Sequence, residues 1–102
     1  MSTFTIIARR WFDQVYGNTY HSVEVYRDGN LIERNPFSYG YGDGYQQTAM
    51  DIIKRKCKRI YTNVQKKYYD GKDVYMSPHI FGKHSGHKVI VSSTDVTRRR
   101  DL

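Results

Sequence analysis

Seven cationic side chains, Lys54, Arg55, Lys56, Lys58, Arg59, Lys66 and Lys67, fall between positions 54 and 67, and no acid lies between Asp51 and Asp70. Cations at that density suit phosphates. Each one that neutralises a phosphate releases condensed counterions, so such a surface binds without reading base sequence. An ordinary solvated helix face interleaves Glu with Lys, whereas Lys54/Lys58 and Arg55/Arg59 set like charges one turn apart, where they repel. Lys54, Arg55, Lys58, Arg59 and Lys66 are therefore the expected binding set, on nucleic acid or on an acidic protein surface. Arg98, Arg99 and Arg100 provide an auxiliary arm near the end of the sequence.

Other constellations carry less chemistry. Gly40, Gly42 and Gly44 precede a helical pattern, as in phosphate-cradling loops. Asp43 opposes that use, because a carboxylate at the N-cap takes the same N–H groups and repels an anion. Tyr39, Tyr41 and Tyr45 in this loop offer an aromatic contact surface instead. His79, His84 and His87 match no standard zinc spacing, so no metal is expected, and no cofactor motif is present. His21, Asp13, Glu24 and Glu33 could supply acid or base, yet no spacing forces two of them together. No nucleophile motif accompanies Ser22 or Cys57, and the expectation is a non-enzyme.

The charge is regional. Residues 1–53 carry net −2 and residues 54–102 net +9, giving +7 for 102 residues. A chain of this length forms one domain with a modest core. Its 38% hydrophobic and 26% charged composition is that of a globular protein rather than a disordered one. Ten of its aromatic residues are tyrosines, which suit binding surfaces and half-buried sheets alike. With one cysteine, Cys57, no intrachain disulfide can form, and a reducing cytoplasm is the expected compartment. No apolar run approaches the roughly 20 residues that span a bilayer, so no membrane role is expected.

Strands must frame the helix that displays these cations. Residues 3–12 are β-branched and aromatic, and residues 19–27 alternate, with His21, Val23 and Val25 on one face and Tyr20, Ser22, Glu24 and Tyr26 on the other. Gly17-Asn18 and Asp28-Gly29 mark tight turns, and a third strand from Asn30 to Arg34 should stop before Asn35-Pro36. Tyr45, Ala49, Ile52, Ile53, Cys57, Ile60, Val64 and Tyr68 form one helical stripe, capped by Asp43 with Gln46 and ended by Asp70-Gly71. Continuous from Asp43 to Tyr69, that helix is about 40 Å long. It should overhang a small sheet, bend at Asn63, or pack on a second copy as a homodimer. Asp73 to Met76 reads as a short strand, 77–86 as a loop, and Lys88 to Ser93 as the final strand. The expected fold is α+β: an antiparallel sheet of four to five strands, the meander plus the last strand, packed on one long basic helix. Residues 1–95 form the domain and 96–102 a basic, mobile tail.

Two resemblances add to this. Residues 9–25 (R-R-W-F-D-Q-V-Y-G-N-T-Y-H-S-V-E-V), with Phe37-x-Tyr39-Gly40-Tyr41-Gly42 and Gln47-Thr48-Ala49, are similar to the signature stretch of small accessory proteins of tailed phages. That resemblance implies a phage origin and a host-cell setting. It points to counter-defence, of the anti-CRISPR type among others, by binding a host nucleoprotein complex, its nucleic acid or its signalling nucleotide. Val23 to Ile32, followed by a loop and a helix with Ala49, also resembles the strand–strand–strand–helix half of double-stranded-RNA-binding domains. Gln46 to Asp51 stand where that family has its lysine run, so the likeness implies architecture only. The resulting expectation is a basic, non-catalytic phage protein that binds nucleic acid or a nucleic-acid-containing host complex. Its alternatives are a nucleotide-signal sponge, a protein-only inhibitor and a small nuclease.

Overall fold

The computed structural model describes all of residues 1–102. Three strands, β1 (Thr3–Asp13), β2 (Asn18–Arg27) and β3 (Asn30–Tyr39), form the meander. At the second turn Asp28 (φ 52°) and Gly29 (φ 83°) both adopt the left-handed backbone that a two-residue hairpin requires. β3 runs five residues further than its proline suggested. Pro36 survives because His21 pairs with Ser38 and Val23 with Asn35, so two residues of β3 face one of β2, and the bulge spares Pro36 a ladder N–H.

The chain then crosses the sheet through α1 (Gly44–Lys56), α2 (Lys58–Tyr69) and α3 (Pro78–Ser85) before entering β4 (Lys88–Val96). Strand order is β3-β2-β1-β4, and β4 lies parallel to β1. The sheet is therefore mixed, not antiparallel. A connection from one edge strand to the far edge returns the chain in the direction of β1, which no hairpin could do.

The expected single helix is two. Cys57 (φ −123°, ψ 49°) interrupts it, while Asn63 lies inside α2. The ladder bridges the break, since Cys57 N–H donates to the Ile53 carbonyl and Tyr61 N–H to that of Cys57. The break falls within the like-charge run, where repulsion between neighbouring turns works against continuity. It also redirects the buried stripe. α1 buries Tyr45, Ala49, Met50, Ile52 and Ile53 against the sheet, whereas α2 turns Tyr61 and Val64 inward and leaves Tyr68 exposed.

The stretch read as a loop is α3, with the Ser77 side chain accepting the Ile80 N–H, Pro78 in its first turn and Gly86 (φ 78°) ending it. Residues 72–77 form no strand. Phe81 of α3 packs edge-on against Phe4 of β1, which with Ile6, Ala8, Val23 and Val25 forms the sheet side of the core. All helices lie on this one face. On the other face the chain after β4 makes a short 3-10 turn (Arg99–Asp101) and reaches β3, where Arg34 donates to the Leu102 carbonyl. No helix is long and apolar enough to cross a membrane.

Candidate nucleic-acid interface

The cationic run divides into a part engaged by carboxylates, two for three cations, and an open part. At the end of α1, Lys54 donates to Asp73 at 2.8 Å, and Arg55 grips both oxygens of Glu33, which Lys56 also approaches at 3.7 Å. The Asp73 hydrogen bond holds the Lys54 ammonium above its ordinary pKa, and the Glu33 hydrogen bond does the same for Arg55. Glu33 responds in the opposite sense, held low first by the Arg55 hydrogen bond. Lys54 and Arg55 are thus already engaged by the protein's own carboxylates. Charge counting along the sequence missed this because Glu33 and Asp73 are distant in sequence and arrive only through β3 and the loop after α2.

On α2 the situation is different. Lys58, Arg59, Lys66 and Lys67 are exposed, and no carboxylate lies within 4 Å of any of them. At 100° per residue, Lys58, Lys66, Arg59 and Lys67 follow one another round half the helix circumference, with Thr62 and Asn63 between them. Arg59 and Lys66 stand nearly in line, about 10 Å apart along the axis. This is a polar, acid-free surface two turns long, held in place by Tyr61 and Val64 on the buried side.

The helix-free face of the sheet holds a second feature. Trp11 of β1 stacks on Tyr20 of β2 (5.7 Å between ring centroids), Tyr20 stacks on Phe37 of β3 (4.7 Å), and Arg99 lies over Phe37 (4.4 Å). Tyr39 and Tyr41 extend this group edge-on and remain more than half exposed. Tyr45 does not join them. It is 5% exposed and belongs to the core, so it offers no contact surface. Arg98 and Arg100 are exposed beside Arg99. The stack follows from register, Trp11 opposite Tyr20, which is set by a four-residue turn over 14–17 with Asn18 already in β2, not by the tight Gly17-Asn18 turn expected from the sequence.

The acid/base candidates each have a separate commitment. Asp13 accepts the Val15 N–H in the first turn, Glu24 pairs with Arg34, and Glu33 holds Arg55. His21 is 1% exposed, with Nε2 2.7 Å from Thr48 Oγ1 and Nδ1 without a partner. Placing the proton on Nε2 leaves an acceptor rather than a donor orphaned, the less costly arrangement. Burial pushes its pKa down, and the nearby Gly40 backbone, outside hydrogen-bond geometry for the neutral ring, offsets part of that shift. The other histidines make separate contacts: His84 packs on Tyr68, His87 Nδ1 accepts the Ser2 N–H, and His79 is exposed. No cluster of three or more His, Cys, Asp or Glu has the arrangement of a metal site.

Neither a family model, nor a curated protein, nor a solved structure matches this chain. The geometry of α2 and of the open sheet face is what bears on function.

Proposed function

We propose that the protein is a small, non-catalytic nucleic-acid-binding protein of phage type that holds phosphates on α2 and acts on a nucleic-acid-containing host complex as a counter-defence inhibitor. One observation carries the binding half of this reading: Lys58, Arg59, Lys66 and Lys67 are unpaired, while the cations one turn earlier on α1 are matched to Glu33 and Asp73. An acid-free helical surface beside such matched pairs has phosphate as its simplest complement. The host-directed half rests on the likeness of residues 9–25 to phage accessory proteins.

The test is a gel shift with random-sequence DNA and RNA. A Lys58→Glu/Arg59→Glu/Lys66→Glu variant should lose binding while unfolding at the wild-type temperature, because all three side chains are exposed. Binding that survives the triple reversal removes α2 from the account.

A second reading places a single strand on the open sheet face, and the Trp11–Tyr20–Phe37 stack with Arg99 favours it. Trp11 is the only tryptophan, so its fluorescence distinguishes the two. Oligonucleotide stacked on that face changes the emission, whereas oligonucleotide on α2, across the sheet, leaves it unchanged.

A further inference from the structure

The sheet has two edges, and they are built differently. β3 is guarded: it contains Pro36, two register shifts against β2, and the charged pair Glu33 and Arg34. These are the devices by which natural sheets prevent a further strand from adding. β4 lacks the proline and the register shifts. Its nine residues contain no Gly or Pro, pair with β1 without a register shift, and carry charge only at Lys88 and Asp95. Between those charges Ile90 is 42% exposed on one face and Val91 is 38% exposed on the other.

The direction of the free backbone groups follows from one hydrogen bond. Lys88 N–H donates to the Ser2 carbonyl, so the N–H groups of Ile90, Ser92 and Thr94 also face β1. Those of Val89, Val91, Ser93 and Asp95 face outward, and none is bonded within the protein. A row of free donors and acceptors along an apolar strand is a template for another strand.

We propose that this edge pairs with β4 of a second copy, antiparallel, about a twofold axis that passes through Ser92. The choice of a second copy over another strand rests on charge and shape complementarity. That register sets Val91 opposite Ser93 and Val89 opposite Asp95, so that outward-facing residues meet outward-facing residues. Beside Val89 and Val91, under α3, lies a groove of about 450 Å³ whose titratable lining is His79, Lys83 and His87, with no acid. The partner copy's Asp95, 76% exposed and bonded through one oxygen only, to Arg10, is carried to that groove by the pairing. α3 covers only the Lys88 end of β4, and the Ser93–Asp95 end is bare. The twofold sets each covered end against a bare one. The resulting eight-stranded sheet keeps both helical layers on one side and both aromatic stacks on the other. This inference stands on β4 and does not depend on what α2 binds.

The test is sedimentation equilibrium of the full chain from about 1 μM to about 1 mM, the range in which an interface of this small size dissociates. A monomer–dimer equilibrium is expected. Val91→Pro should give monomer with an unchanged circular dichroism spectrum, because the N–H it removes faces outward. Ser92→Cys should form a disulfide-linked dimer on mild oxidation, since two residues facing each other in a non-hydrogen-bonded pair have Cα atoms about 4.5 Å apart. A Tyr16→Cys control in the exposed first turn should not cross-link. Monomer at every concentration overturns the proposal, as does a dimer that Val91→Pro leaves intact. If Val91→Pro unfolds, the Ser92→Cys cross-link decides, and its absence overturns the proposal equally.

Discussion

Arg55 of α1 and Glu33 of β3 face each other fork to fork, and that pair withdraws the start of the cationic run from any partner. Arg55 is exposed and Glu33 only partly buried, so the pair governs availability more than stability.

Glu33→Gln should therefore free Arg55 and Lys56. Duplex binding should strengthen several-fold, and its salt dependence should steepen by about two log units per log unit of salt, one for each released cation. Glu33 has a lowered folded-state pKa, so any stability from the pair is present above the ordinary carboxylate range and lost as pH falls through the lowered value. The melting difference between wild type and Glu33→Gln should accordingly close in acid. An equal difference at all pH values contradicts the pairing.

His21 makes the protein sensitive to mild acid. Its folded pKa lies below the ordinary imidazole value, so stability is complete above roughly pH 6.5 and declines as pH falls from there towards the lowered value. The slope should be at most about 1.4 kcal/mol per pH unit. Urea titrations between pH 8 and pH 5 on wild type and His21→Gln check this, and the variant should have the flatter profile.

Gly40 is held against the same ring. A Cβ there would stand 3.0 Å from His21 Cε1 and 3.3 Å from Nδ1. Gly40→Ala should cost about 1–3 kcal/mol in urea unfolding, and less in a His21→Ser background, where the ring is gone. Additive losses contradict the contact.

The tail is anchored at two points, Arg99 on Phe37 and Arg34 on the Leu102 carbonyl. Trypsin should cut after Arg98, Arg99 or Arg100 about two- to five-fold faster in Phe37→Ala than in wild type, in keeping with loss of one exposed cation–π contact. Equal rates mean that the ring does not hold the tail.

Local patterns were legible in the sequence, and long-range juxtapositions were not. The alternation of His21, Val23 and Val25 gave the buried face of β2, and Asp28-Gly29 gave the hairpin, because both are decided within a few residues. Ser77-Pro78 with Gly86 is also a complete helix signature, and reading it as a loop overlooked the N-cap and first-turn proline. Two features depended on tertiary structure. The parallel entry of β4 follows from the path of the whole crossover, and the neutralisation of Lys54 and Arg55 follows from where that path brings Asp73 and Glu33. A run of seven like charges therefore overstated the free surface, which is the four-cation face of α2.

That reduction is measurable as the slope of log binding constant against log salt for duplex DNA. Four phosphate contacts give about −3.6, and seven give about −6.3. The account predicts a value near the first, falling towards zero in Lys58→Glu/Arg59→Glu/Lys66→Glu. A slope near the second, or one that the triple reversal leaves unchanged, contradicts it.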